Sequence, residues 1–137
     1  MVCLRNSVMV IVVMVVLTCS TAFAQSIESI AADYVIEEYS FDRTEKEIVF
    51  DKQAIHYNSS YAVLKSAAYY ADGSSTDNAV ADLVFVLCFK KQDQWHIVYD
   101  LSRSDMPSAE ELNAMKKEFP SDFPKSLLPQ FWQRLLK

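Results

Sequence analysis

The sequence predicts an α+β fold, in which an N-terminal helix packs on a curved antiparallel β-meander and short helices follow at the C-terminus. Three observations support this class. Two apolar runs separated by a polar turn, within residues 79–105, indicate a β-hairpin. Apolar residues at helical spacing precede the hairpin from Ser26, and a helix start follows it at Pro107. Residues 25–137 are enough for a single domain with one core.

Residues 1–24 are predicted to be an export signal rather than part of the fold. Arg5 supplies a positive charge, residues 8–17 are an unbroken apolar run, and residues 22–24 read Ala-Phe-Ala, the pattern of a cleavage site. The apolar run is shorter than the roughly 20 residues that a membrane span needs. We therefore expect cleavage just before Gln25 and a periplasmic or extracellular protein without a stable membrane span.

Cleavage would change both the cysteine count and the charge. Cys3 and Cys19 would leave with the signal, so Cys88 alone would remain of three cysteines and no intrachain disulfide could form. Removing Arg5 from 13 basic and 18 acidic residues leaves a net charge of −6. Such an acidic domain is not expected to bind nucleic acid or an anionic membrane. Lipidation at Cys19 is a weaker alternative, because Thr18 is a poor residue before a lipidated cysteine.

The first helix is predicted to begin after Ser26, which is a good N-cap residue. Glu28 lies in its first turn, where the helix dipole favours a negative charge. Its apolar residues share one face: Ile27, Ile30, Ala31, Tyr34 and Val35. The only glycine of the chain is Gly73, which excludes the glycine-rich loops that bind phosphates and dinucleotides.

Two strands are predicted between this helix and the hairpin. Residues 46–50 form a short strand and residues 61–71 a long one, and the connection at 51–60 is partly extended. Residues 72–78 form a polar loop that leads into the hairpin. Strands joined in this order by short loops make an antiparallel meander.

The register of the hairpin is predicted from its apolar faces. Pairing Phe89 with Trp95 forms one wholly apolar face from Leu83, Phe85, Leu87, Phe89, Trp95, Ile97, Tyr99 and Leu101. A slip by one residue would mix His96 and Asp100 into this row. The predicted register therefore places Cys88 opposite His96 on the second face, which Asp82 and Asp100 share.

Cys88, His96 and Asp100 are the candidate catalytic residues. A cysteine nucleophile needs an accessible and electropositive setting, whereas Cys88 is flanked by Leu87 and Phe89. We therefore expect Cys88 to be a buried small hydrophobic residue. His96 or Asp100 would be the general base of an enzyme, although carboxylates on a sheet are more often simply solvated. The spacing of histidines and cysteines does not suit a metal site, and no cofactor is predicted.

The polar residues after the hairpin are candidates for ligand binding, and helices follow them. Ser102, Arg103 and Asp105 would contact a ligand, or would form a solvated loop. Ser108 and Glu111 have the spacing of a capping box at a helix start. Leu112, Met115 and Phe119 continue that helix as an apolar stripe, which Pro120 stops. The apolar ending, which includes Leu128, Phe131, Trp132, Leu135 and Leu136, is expected to pack on the domain or on a partner.

The last predicted strand, residues 95–100, resembles the final strand of nuclear-transport-factor-2-like domains. A helix followed by a curved meander is also similar to the cystatin-like α+β roll. The resemblance implies a fold that serves both enzymes and non-enzymatic binding domains. The cystatin inhibitory pattern Q-x-V-x-G is absent, so protease inhibition of that type is not implied.

These observations favour an exported, non-enzymatic binding domain for a protein or a small apolar ligand. The alternatives are a small enzyme with a pocket between helix and sheet, and an acidic periplasmic inhibitor or immunity protein. The many aromatic residues suggest that a sheet face or the C-terminal helix forms a homodimer interface or binds another protein.

Overall fold

The computed structural model describes residues 25–39, 47–51, 53–74, 76 and 83–137. The predicted export signal and Asp82 lie outside them. The described residues form α1 (Ile27–Glu38), β1 (Ile48–Phe50), β2 (Ile55–Tyr57), β3 (Tyr61–Ser66), β4 (Ala68–Tyr70), β5 (Phe85–Lys91), β6 (Trp95–Asp100), α2 (Ala109–Glu118), a 3₁₀ turn (Lys125–Leu127) and α3 (Gln130–Leu135). The predicted α+β class is confirmed. Over the described residues, no helix combines the length and apolar character of a membrane span.

The strands form two antiparallel sheets. The larger has the order β2-β3-β5-β6, and the smaller pairs β1 with β4. The predicted strand at 61–71 is therefore wrong as one strand, because the chain leaves the larger sheet at Ala67 and enters the smaller one. Ser66 holds this transition: its hydroxyl donates to the Ala67 carbonyl at 2.6 Å and accepts from the Asp51 amide at 2.9 Å.

Helix α1 begins where the sequence predicts. The Ser29 amide donates to the Ser26 hydroxyl at 3.2 Å, which confirms the N-cap. Ile27, Ala31 and Val35 are buried against the larger sheet, on the face that we call the inner face. The inner core also contains side chains from the strands, chiefly Leu64, Phe85, Leu87 and Phe89.

The C-terminal segment covers the opposite face of the sheet, which we call the outer face. Ser108 and Glu111 form the predicted capping box at the start of α2. The apolar residues at the C-terminal end were expected to pack on the domain or on a partner, and the structure shows them packed on the domain. The outer core consists of Val63, Val86, Cys88, Leu101, Phe119, Phe123, Leu128, Trp132 and Leu136. The sheet is thus the middle layer between α1 and the C-terminal segment.

The hairpin register differs from the predicted one. Trp95 pairs with Lys91 rather than with Phe89, and Phe89 pairs with Ile97. The loop is only three residues long, because the strands continue through polar residues beyond the apolar run. The prediction failed because it ended the first strand where its apolar residues end.

A β-bulge at Val98 changes the faces along the second half of β6. Cys88 pairs with Tyr99, so Val98 is an additional residue without a partner on β5. Trp95 and Ile97 face the inner core as predicted, whereas Tyr99 and Leu101 belong to the outer core. The single predicted apolar face was therefore wrong beyond Ile97. An extra residue in one strand reverses the alternation of every residue that follows it.

Candidate functional site

Asp100 lies between α1 and β6 and collects four polar contacts. The hydroxyls of Tyr34 and Tyr39 donate to its Oδ2 at 2.9 and 2.8 Å. The Ser102 amide donates to Oδ1 at 2.7 Å. Arg103 Nε lies 3.6 Å from Oδ2, and the Asp100 side chain is only 6% exposed. Because both oxygens are engaged, this carboxylate ties the helix to the sheet.

The two tyrosines are held as hydrogen-bond donors by their surroundings. Burial and the hydrogen bond to Asp100 raise the pKa of the Tyr39 hydroxyl far above its ordinary value. Burial also raises the pKa of Tyr34, against an opposing effect of the Arg103 hydrogen bond. Both hydroxyls therefore stay protonated further into the alkaline range than an ordinary tyrosine, whose pKa is about 10.

The three catalytic candidates lie in three different environments. Cys88 is fully buried in the outer core, where burial, followed by the charge of Asp100, raises the pKa of its thiol. His96 pairs with Lys90 and is exposed. The predicted pairing of Cys88 with His96 is wrong, because Tyr99 occupies the position opposite Cys88. Asp100 points to the inner face, so the sheet separates it from the outer core.

The three residues predicted to contact a ligand also separate. Arg103 turns toward α1, where its guanidinium donates to Glu38 at 2.8 Å. The Ser102 hydroxyl is buried and accepts from the Val86 amide at 2.7 Å. Ser102 and Asp105 line a groove on the outer face. Arg103 therefore joins the Asp100 network through its side chain, and Ser102 joins it through its backbone amide, whereas Asp105 belongs only to the outer face.

A cleft opens between the first turn of α1 and the larger sheet, and we call it the Trp95 cleft. It has a volume of about 410 Å³ and is lined by Ser26, Ile27, Glu28, Ile55, Tyr57 and Trp95. The side chain of Tyr57 is 71% exposed, although it lies on a strand of the sheet. Lys91 Nζ lies 5.7 Å from the centre of the Trp95 ring. Apolar and aromatic surface thus dominates the walls, and Ser26 and Glu28 supply the polar groups.

The prediction from sequence missed the Trp95 cleft. It treated Trp95 as a core residue and residues 51–60 as a partly extended connection without a pairing partner, so it did not bring Tyr57 near the hairpin. The alternation of Ile55 and Tyr57 around His56 was the available signal for a short strand. The order of strands in the larger sheet is what shows that β2, which lies beside β3, belongs to the same sheet as β6.

A larger and more polar groove of about 730 Å³ lies on the other side of α1, against β1. Four carboxylates line it: Glu28, Asp33, Glu47 and Asp51. Within the described ranges, no three residues of the histidine, cysteine, aspartate and glutamate types come together as metal ligands. The Trp95 cleft has the better composition for holding a ligand, because apolar walls with few polar groups are typical of ligand sites.

Comparisons of the chain with protein-family models, curated proteins and solved structures find no match. The function is therefore inferred from the chemistry of the clefts and of the predicted site residues.

Proposed function

We propose that this protein is an exported, non-catalytic domain that binds a small apolar ligand in the Trp95 cleft. The observation that carries the proposal is the pair of aromatic side chains at the cleft, with Tyr57 exposed to 71%. An isolated exposed aromatic side chain is unremarkable, but one that borders an apolar concavity offers contact area for a ligand. Trp95 and Ile55 extend from the inner core into this concavity.

The size and the polarity of the cleft suit a small organic molecule. Its volume of about 410 Å³ lies within the range of roughly 300–1,000 Å³ that is common for small-molecule sites. An aromatic or aliphatic body would pack between Tyr57 and Trp95. Glu28, on the helix side, would accept a hydrogen bond from a donor group on the ligand and so orient it.

The placement of the catalytic candidates favours binding over catalysis. Asp100 already accepts hydrogen bonds on both oxygens, and the thiol of Cys88 is buried in apolar surroundings. The residues that line the Trp95 cleft do not include Cys88, Asp100 or His96. A general base must lie within hydrogen-bond reach of its substrate. We also propose that the fold is similar to that of nuclear-transport-factor-2-like domains. The helix that packs on an antiparallel sheet supports this similarity.

A dye titration tests ligand binding at the cleft. The probe is the neutral apolar dye N-phenyl-1-naphthylamine. The chain has two tryptophans, so the experiment uses the Trp132→Phe variant, in which Trp95 is the only one left. We expect the dye to quench the emission of Trp95 on binding. Tyr57→Ala should weaken binding about tenfold, because a stacking surface is lost. Tyr69→Ala, on β4 and away from the cleft, is the matched control and should bind normally. Equal affinity for the Tyr57 variant would overturn the proposal.

We propose export because residues 1–24 combine a positive charge, an apolar run and the Ala-Phe-Ala pattern of a cleavage site. The intact mass of the protein from an expressing bacterial host should equal that of residues 25–137. A mass that includes Cys19 and acyl chains would show a lipoprotein instead, and an uncleaved mass would contradict export by this signal.

A further inference from the structure

A second concave surface lies on the outer face of the sheet, and we call it the outer groove. Two concavities of about 310 and 180 Å³ form it, and Lys65 and Pro129 line both of them. The sheet supplies the floor, and the C-terminal residues 126–132 supply the wall. His56 lines the first concavity and Asp105 lines the second.

Exposed apolar side chains are concentrated at this groove. Val84 and Phe131 line it and are 45% and 43% exposed. Val84 and Phe131 are two of the five large apolar side chains that are exposed in the part of the chain that the structure describes. Exposed apolar surface at a groove is typical of a protein-binding site, and phenylalanine is enriched in such sites.

Lys65 gives the outer groove an exposed cation. It lies on the outer face of β3, paired with Val86 of β5, and its side chain is exposed. Among the described residues, no carboxylate forms an ion pair with it. By contrast, Lys90 pairs with Asp122, and Arg103 pairs with Glu38. A lysine beside apolar surface and without an ion pair favours an anionic group on a ligand.

The length and the openness of the groove suit a short extended peptide. The groove crosses the sheet from β2 to the chain beyond β6, and three strand spacings give a length of about 14 Å. An extended chain rises about 3.3 Å per residue, so about four residues fill it. Both concavities are open to solvent, which leaves backbone groups of a peptide accessible to water. A lipid tail would keep much of its apolar surface exposed there.

We propose that the outer groove binds an extended segment of a partner protein that carries one acidic residue next to apolar residues. The acidic residue pairs with Lys65. The apolar residues lie against Val84 and Phe131, on the side of the groove where Asp105 would repel a second acidic residue. This proposal is independent of the Trp95 cleft, which lies on the inner face.

Selection from a phage-displayed library of random heptapeptides tests the proposal. We expect the purified protein to enrich peptides with one acidic residue next to apolar residues. A synthetic peptide of that sequence should bind Lys65→Glu at least tenfold more weakly, and Phe131→Ala should also weaken binding. Lys116→Glu makes the same charge change at an exposed position on α2, and it should bind like the unmodified protein. Replacing the acidic residue of the peptide by lysine should restore binding to Lys65→Glu.

Several results would overturn the proposal. Failure to enrich any peptide, enriched peptides without an acidic residue, or binding that Lys65→Glu does not change would each do so. Concentration-dependent dimerisation that Phe131→Ala abolishes would show that a second copy of the chain occupies the groove. Tyr57→Ala, in the Trp95 cleft, should leave peptide binding unchanged, so the two proposed sites succeed or fail separately.

Discussion

Asp100 collects the polar contacts that join helix α1 to the larger sheet. Its two oxygens accept from Tyr34, Tyr39 and the Ser102 amide, and its side chain is almost completely buried. Buried donors that lose their acceptor are costly, at about 1–3 kcal/mol each, whereas a satisfied hydrogen bond contributes about 1 kcal/mol. Removing this one carboxylate therefore affects three donors at once.

Asp100→Ala should lower the free energy of unfolding by about 2–4 kcal/mol, which is less than three full penalties because the three donors are only partly buried and water can reach them. Asp100→Asn should have a smaller effect, since its amide oxygen can still accept a hydrogen bond. Urea denaturation of both variants measures the difference. Asp105→Ala, at an exposed carboxylate, is the control and should change stability by less than about 0.5 kcal/mol. An equally small effect of Asp100→Ala would contradict the network.

Stability should decrease at alkaline pH in two stages. Burial raises the pKa of the Cys88 thiol, and burial with Asp100 raises that of Tyr39. Unfolded cysteine ionises near pH 8.5 and unfolded tyrosine near pH 10, so the unfolded state loses protons that the folded state keeps. The stabilisation is therefore complete below about pH 8.5 and falls as pH rises.

Cys88→Ala should remove the first stage of this loss, between about pH 8.5 and 10, and Tyr39→Phe should reduce the second. Each variant is less stable at neutral pH, so the slope of stability against pH is the informative quantity. Urea denaturation at a series of pH values measures it. An unchanged slope for Cys88→Ala in the lower interval would mean that the thiol is accessible in the folded protein.

At the scale of elements, the hairpin of β5 and β6 serves both cores. The bulge at Val98 lets one strand direct Trp95 and Ile97 to the inner core and Tyr99 to the outer core. In a regular strand Trp95, Ile97 and Tyr99 would all face the same layer, so the extra residue at Val98 is what turns Tyr99 to the outer core. The bulge also brings Asp100 to the inner face, where the tyrosines of α1 reach it.

Substitution of two neighbouring residues tests this hairpin. Trp95 is half-buried at the edge of the inner core, so Trp95→Ala should cost about 2 kcal/mol, below the 3–5 kcal/mol of a fully buried tryptophan. His96→Ala should cost less than about 0.5 kcal/mol, because His96 is exposed. Chemical denaturation with an unchanged m-value gives both numbers. A larger effect of the histidine substitution would contradict the observed faces.

Local signals predicted local structure, and contacts between distant segments were not predicted. The caps at Ser26 and Ser108 depend on residues three positions away, and both are confirmed. Asp100 was predicted to be a solvated carboxylate or a base, because its partners Tyr39 and Tyr34 lie 61 and 66 residues away in the chain. The face of Tyr99 and Leu101 was predicted wrongly because nothing in the sequence around Val98 marks a bulge.

At the scale of the molecule, the sheet lies between two apolar layers of different origin. Helix α1 closes the inner core, and the segment that contains α2 and α3 closes the outer core. The outer core has edge-to-face aromatic contacts, among them Phe119 with Phe123 at 5.5 Å between ring centres. Because the strands are buried on both sides, neither layer can be removed without exposing β5, whose residues 85–89 are all buried.

The two adjacent aromatic residues of α3 separate stability from binding in this layer. Trp132 is buried in the outer core, so Trp132→Ala should cost about 3–5 kcal/mol. Phe131 lines the outer groove and is partly exposed, so Phe131→Ala should cost only about 1 kcal/mol. Thermal and urea unfolding of the two variants measure the difference. Comparable losses would show that Phe131 supports the fold, and that its substitution in the peptide experiment reports unfolding. If the Phe131→Ala protein is nearly as stable as the unmodified protein but no longer binds the selected peptide, the loss of binding is due to the change in the outer groove.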